Sequence, residues 1–215
     1  MTSARWRRGL PAGVHFLVAL AVVALLLEFV VKPYRVPSES MQPTLQPGQL
    51  ILVDRTAYRF GGIQHGDIVV FTADQAWLGH PRATVTDLGS LGRWILGFVG
   101  VGPGLDQALV KRVIGLPGDT VACCDAQGRV RVDGVGVDEP YVLDDFEFSP
   151  GQFDCATAPA SDRCFPPVTV PADSVLVIGD HRSQSADSVA GCRGPDRPVQ
   201  CARFVAVDLI VGKLR

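Results

Sequence analysis

One long apolar run, Leu10 to Val31, lies near the N-terminus behind Arg5, Arg7 and Arg8. About 20 consecutive apolar residues can cross a bilayer as a helix, which satisfies every backbone polar group internally. Pro11 suits the first turn of such a helix and Pro33 marks its stop. His15 and Glu28 sit near the two ends, where polar groups reach the interface. The three arginines predict a cytoplasmic N-terminus, so the chain after Val31 lies outside the cytoplasm. A secretory signal peptide has the same charged start, but a shorter apolar core followed by a small-x-small cleavage site. The stretch Leu26-Leu27-Glu28-Phe29-Val30-Val31-Lys32-Pro33 offers no such site, which favours an uncleaved anchor. The expected division is a cytoplasmic tail at 1–9, a transmembrane anchor at 10–32 and an extracytoplasmic domain at 33–215.

The roughly 180 residues after the anchor suffice for one domain with its own core. A net charge of −2 gives no reason to expect nucleic acid. With 23 Gly and 16 Pro, short strands joined by turns are favoured over long helices.

All six cysteines, Cys123, Cys124, Cys155, Cys164, Cys192 and Cys201, follow the anchor. An even number in an oxidising compartment reads as a disulfide framework. Sequence does not fix the pairing, although short loops favour Cys155 with Cys164 and Cys192 with Cys201. A zinc site is disfavoured: there is no Cys-x-x-Cys pair and no His at ligand spacing. Four of the cysteines fall in two insert-like excursions, about 144–167 and 189–203. The first is acidic, Pro-containing and expected to be exposed.

Strands are predicted at Leu50–Val53, at Gly66–Phe71 behind a Gly-Asp turn, at Val175–Ile178, and from Phe204 to Gly212. Arg129 to Val135 reads as a hairpin. Within 72–109, Trp94 to Val99 reads as a core-facing hairpin or short helix, or else as a loop touching the membrane surface.

Three segments carry chemistry. Pro37-Ser38-Glu39-Ser40-Met41-Gln42-Pro43-Thr44-Leu45 is a proline-stiffened loop that can hold a serine hydroxyl in one place. In Val110-Lys111-Arg112-Val113-Ile114, neighbours in a strand face opposite sides, so Arg112 can point outward only if Lys111 points inward. An inward Lys is unfavourable unless it has a task, and it tends to lose its proton. Gly179-Asp180-His181-Arg182-Ser183-Gln184-Ser185-Ala186-Asp187-Ser188 is a polar run at a strand end, either a solvated turn or a site. Taken singly, Ser185 and Asp180 read as turn residues.

Together, in this order behind an anchor, these segments resemble the type I signal peptidase (leader peptidase) family of membrane-anchored serine proteases, in an actinobacterial-looking form. The resemblance runs from the anchor to Ile210-Val211-Gly212-Lys213 and is weakest in the cysteine-bearing inserts. It implies a mostly β fold: a single transmembrane helix followed by an antiparallel β-sheet catalytic domain. It implies Ser40 as nucleophile and Lys111 as general base, a variant of triad logic. It further implies Ser38 with the Ser40 backbone N–H as oxyanion hole, and Ser185 hydrogen-bonded to Lys111. Asp180, Asp187 and Arg112 would act as supporting residues, with Pro37 and Met41 against the substrate. The family usually has an Arg where this chain has Val189; Arg193 or Arg182 are candidate replacements. His181 within the third segment is a benign change. None of His65, His80 and His181 occupies the second segment, which disfavours a Ser-His dyad. No metal or organic cofactor is implied. The implied partners are preproteins with small-x-small cleavage sites, the lipid bilayer and the protein-export machinery. The implied location is the cell membrane, single-pass, with the catalytic domain outside. Two rivals remain: a protease of the same clan dedicated to one precursor such as a pilin, and a catalytically inactive membrane-anchored binding protein.

Overall fold

Alternation in Leu50-Ile51-Leu52-Val53 places Ile51 and Val53 inward and Leu50 and Leu52 outward, and this stretch forms β2 (Leu50–Asp54). A computed structural model of the protein describes residues 11–59, 61–78, 108–194 and 198–214. The stretch Trp94 to Val99 and His80 lie outside the described residues.

Two antiparallel sheets make up the fold. The larger has the order β1-β2-β11-β3-β4-β9-β10. Its strands are β1 (Val31–Arg35), β2, β3 (Ile68–Thr72), β4 (Ala108–Gly115), β9 (Ser174–Ile178), β10 (Val205–Ala206) and β11 (Ile210–Leu214). The smaller has the order β7-β6-β5-β8. It comprises β5 (Thr120–Cys123), β6 (Val130–Val132), β7 (Val135–Gly136) and β8 (Phe165–Thr169). The predicted hairpin is β6–β7, turned by Asp133 and Gly134, both at positive φ, as a two-residue primed turn requires. The predicted closing strand is divided: β10 and β11 flank a short 3-10 turn, Val207–Leu209.

Among the described residues, three apolar clusters form the core. One joins Ile114, Val121, Phe165, Leu176, Ile178 and Val189 between the sheets. At that junction Gly115 is required: a Cβ there would lie 2.7 Å from Val121 Cγ2 and 2.9 Å from Val170 Cγ2. A second gathers Val69, Phe71, Trp77, Val113, Val175 and Val177. The third gathers Val36, Met41, Leu45, Ile51, Val53, Val70 and Val110.

The N-terminal helix α1 (Ala12–Phe29) leaves Phe16, Leu17, Val18, Leu20, Val22, Val23, Leu26 and Phe29 exposed. It ends earlier than the expected anchor, because Val31 and Lys32 pair with Asp54 and Val53 as part of β1. Its 18 residues span about 27 Å at 1.5 Å per residue. Among the described residues no helix is long and apolar enough to cross a membrane.

Cys155 pairs with Cys164 and Cys192 with Cys201. The adjacent Cys123 and Cys124 pair with each other, a bridge the loop-length argument did not anticipate. The 144–167 segment is largely exposed or half-buried, as expected, and is pinned down at a few points. Ser161 Oγ donates to Glu147 O, and Arg163 donates to the carbonyls of Phe146 and Gly128. Ser161, Cys164 and Phe165 are buried.

Candidate active site

Ser40 lies in a 3-10 turn, Glu39–Met41, directly after extended Ser38. The turn is fixed from within by Met41, which is 1% exposed in the third apolar cluster. Backbone bonds from Val36 N to Gln49 O and from Gly48 N to Val36 O close the loop that carries it. Met41 therefore anchors the Ser40 segment; its side chain is buried in the core rather than open to a substrate, contrary to the sequence expectation. Pro37 is exposed.

Lys111 is 4% exposed on β4, paired in register with Val69. Val69 and Val113 belong to one apolar cluster, so Lys111 is inward, as strand alternation requires. Its Nζ donates to Ser40 Oγ at 2.5 Å. Burial pushes the amine down to about 8. Asp187 and Asp180 oppose that shift, and the Arg203 cation adds to it. A lysine so tuned is neutral in a useful fraction near neutral pH, which a general base requires. Ser38 Oγ lies 3.2 Å from Ser40 Oγ, so a second hydroxyl stands beside that of Ser40.

The third segment wraps the Ser40 turn. His181 N donates to Ser40 O at 3.1 Å. A Cβ on Gly179 would lie 2.5 Å from Ser40 O and would also strike Ser185 Oγ. Glycine is thus needed for these two segments to meet. Ser185 is 8% exposed beside this contact, but its Oγ makes no hydrogen bond among the described residues. The expected bond from Ser185 to Lys111 is absent; the Lys111 amine is directed at Ser40 instead.

Arg112, expected among the supporting residues, is tied to Asp180. Its Nε donates to Asp180 Oδ1 at 2.8 Å and its Nη2 to Asp180 Oδ2 at 2.6 Å. Asp180 is fully buried and also accepts from Thr44 Oγ1 at 2.5 Å. The guanidinium lies 3.8 Å from the Tyr141 ring centre, and Tyr141 Oη donates to Glu139 Oε1 at 3.0 Å. Burial, with Glu139, pushes the Tyr141 hydroxyl up. Glu139 also accepts from Arg182 Nη2 at 2.6 Å, and Arg182 Nε donates to Gly179 O. The chain of contacts therefore runs from the serine loop through β4 and back to the glycine beside Ser40.

Asp187 is fully buried. Its Oδ1 accepts from Val189 N, and its Oδ2 has no hydrogen-bond partner among the described residues. Neither candidate for the missing family arginine pairs with it by hydrogen bond. Arg182 is committed to Glu139. Arg193 stacks over Phe146 at 4.7 Å; burial pushes its guanidinium down, and Asp187 opposes this from a distance. Arg203 Nη2 instead reaches Asp187 O at 3.1 Å.

Two of the candidate histidines are engaged elsewhere: His65 Nε2 with Asp119 at 2.7 Å, and His181 Nε2 with Asp144 at 3.4 Å. One sulfur trio, Cys124, Cys155 and Cys164, lies within 4.8 Å of one another. Each of these sulfurs is in a disulfide and carries no thiolate to bind a metal. Sequence reasoning missed Thr44, Glu139, Tyr141, Gly179 and Arg203. Thr44 and Gly179 lay within quoted segments; nothing in the sequence marked the other three.

Residues 10–215 match the family described as signal peptidase, peptidase S26. A signal peptidase I of Mycobacterium tuberculosis (strain H37Rv) is 36% identical over 212 residues, covering 92% of this chain and 68% of that protein. A probable signal peptidase I of Mycobacterium leprae is 35% identical over 233 residues, covering 99% and 75%. The crystal structure of a signal peptidase I from Enterococcus faecalis aligns with a TM-score of 0.38 at 20% identity, covering 72% of this chain and 98% of that one. With residues 10–215 matched, nearly the whole of its length, the chain belongs to the signal peptidase S26 family.

Proposed function

We propose that the protein is a serine endopeptidase that removes signal peptides from exported preproteins, with Ser40 as nucleophile and Lys111 as general base. The observation that carries this reading is the buried Lys111 Nζ donating to Ser40 Oγ at 2.5 Å. The relatives named signal peptidase I support the substrate class.

In the neutral state the Lys111 amine accepts the Ser40 proton as Oγ attacks the scissile carbonyl carbon. The Ser40 N–H and the Ser38 hydroxyl donate to the oxygen that becomes negative. One such donor is worth about 10²- to 10³-fold in rate. Lys111, now protonated, delivers the proton to the leaving amine. It then deprotonates the water that breaks the acyl ester and regenerates Ser40. Small residues at the first and third positions before the cut fit shallow apolar pockets, because bulk is excluded more sharply than a missing methyl is penalised. The substrate binds extended along a strand edge.

The same reading makes α1 the membrane anchor, with the β domain on the outer face and the bilayer and export machinery as neighbours. The apolar residues exposed around α1 support it; an apolar helix surface of this kind belongs in lipid. A protease dedicated to one precursor would share this site and differ only in substrate range. A catalytically inactive binding protein has no use for a desolvated lysine against a serine. The test is incubation of the purified full chain with a preprotein, beside a Ser40→Ala control. Cleavage after a small-x-small site by the first protein alone supports the reading. Intact preprotein with the wild-type chain, correctly folded, sinks it.

A further inference from the structure

Asp187 and Ser188 are both fully buried, and Asp187 is the carboxylate that acts most strongly on Lys111. Their backbone is held from the segment after Cys201. Arg203 N donates to Ser188 O at 2.8 Å, and Arg203 Nη2 donates to Asp187 O at 3.1 Å. The guanidinium also lies over the Trp77 ring, 4.8 Å from its centre. Trp77 is itself fixed: its Nε1 donates to Phe204 O at 3.2 Å, and its ring meets Phe71 of β3 edge-on at 5.0 Å. The Cys192–Cys201 bridge closes the loop just before this point. Arg203 thus occupies one place, held by two carbonyls, one through its backbone N–H and one through its side chain, and by an aromatic face.

We propose that Arg203 is a positioning residue for the general base: it fixes the Asp187–Ser188 backbone, whose Ser188 is bonded both ways to Val177 of β9, the partner of Val113 two residues along β4 from Lys111, and it adds a cation to the surroundings of that amine. The proposal rests on the Ser40–Lys111 reading. The charged groups acting on Lys111 are Asp187, Asp180 and Arg203. The two carboxylates favour the ammonium, which is inactive as a base. Arg203 opposes them, because a like charge disfavours protonation. Arg193 and Arg182 do not share this task, being directed at Phe146 and Glu139. The position occupied by Val189 is filled with an apolar core residue, and a cation comes to the Asp187 backbone from further along the chain.

A merely structural arginine and a tuning one differ in the pH profile. The test measures kcat/KM against pH for the full chain in detergent, with Arg203→Met, Arg203→Gln and Arg203→Lys. Loss of the positive charge stabilises the Lys111 ammonium, so the acidic limb moves to higher pH. The expected shift in the Met and Gln variants is about half to one pH unit, a roughly 3- to 10-fold loss on the limb. That loss fades at pH values where Lys111 is neutral. Arg203→Lys keeps the charge and keeps the limb in place. If the limb stays at its wild-type pH in both neutral variants, whatever happens to the plateau, the proposal fails. Should Arg203→Met not fold, Arg203→Gln decides, since its amide still donates to Asp187 O. Lys111→Met separates the two levels. An inactive Lys111→Met with an unmoved limb in the Arg203 variants removes this proposal alone. An active Lys111→Met removes the dyad and this proposal with it.

Discussion

Arg112 grips Asp180 in a two-pronged fork, with side chains only 11% and 1% exposed, and the same carboxylate takes the Thr44 hydroxyl. This pair joins the serine loop to the third segment across β4. In this fork Arg112→Lys is a lesion. Lysine keeps the charge but loses the planar fork and the stacking on Tyr141. We expect Arg112→Lys to destabilise by about 1–2 kcal/mol, the scale of a charge-assisted hydrogen bond. Arg112→Ala should be worse, at about 3–5 kcal/mol, because Asp180 is left charged and buried. Urea unfolding of the three proteins measures this. Equal midpoints would show that the fork contributes nothing.

The dyad is tested by Lys111→Arg. Arginine preserves the charge yet stays protonated at any relevant pH, so it cannot accept the Ser40 proton. Losing general-base catalysis alone costs about 10²- to 10⁴-fold. Ser40→Ala should fall at least as far, and the double variant hardly further, because residues acting as a unit are non-additive. Preprotein cleavage and a serine-reactive inhibitor label read the outcome. Near wild-type cleavage by a folded Lys111→Arg would falsify the mechanism.

What could be read in advance follows the range of the interactions. Lys111 was legible because strand alternation is local: with Val110 and Val113 around it, one basic residue had to face inward. The Pro-bracketed Ser40 loop was legible for the same reason. The bonds that hold these segments together span large sequence separations, Thr44 to Asp180 and Arg182 to Glu139 among them. No local pattern encodes such pairs. Met41 was misassigned because a methionine next to a nucleophile looks the same in sequence whether it faces substrate or core; only Ile51, Val53 and Val70, brought in by the sheet, decide it. Val31 and Lys32 read as anchor because their neighbours are apolar. Their pairing with β2 depends on a strand some twenty residues later.

The disulfides offer an independent check. Non-reducing peptide mapping of the purified protein should yield Cys123–Cys124, Cys155–Cys164 and Cys192–Cys201. Each of the two nine-residue separations corresponds to stabilisation of about 2–4 kcal/mol. Replacing Cys192 and Cys201 together by Ala should lower stability by that order. Since the loop precedes Arg203, activity should suffer more than in the Cys155/Cys164 double variant. Equal activity losses in the two double variants would break the link between the second bridge and the site.

The last expectation concerns the energetic penalty of the base itself. The Lys111 amine falls from 10.5 to about 8 on folding, chiefly through burial. Its folded value lies below its unfolded value, so between those two pH values the unfolded chain binds the extra proton. Stability contributed by this residue therefore rises with pH from about 8 to 10.5. Below about 8 the full penalty applies, and above 10.5 it is gone. The difference corresponds to about 3 kcal/mol at most. Lys111→Met fills similar volume without a charge and should be more stable than the wild type at pH 7, while being inactive. Its advantage should hold steady below pH 8, shrink through the alkaline range and vanish above 10.5. Denaturant titrations at pH 6, 7, 9 and 11 follow this course. An inactive variant that is more stable at neutral pH is what a strained, desolvated base predicts. A Lys111→Met protein less stable than wild type at pH 7, or an advantage that grows with pH, would show that Lys111 is not held against its preferred charge state.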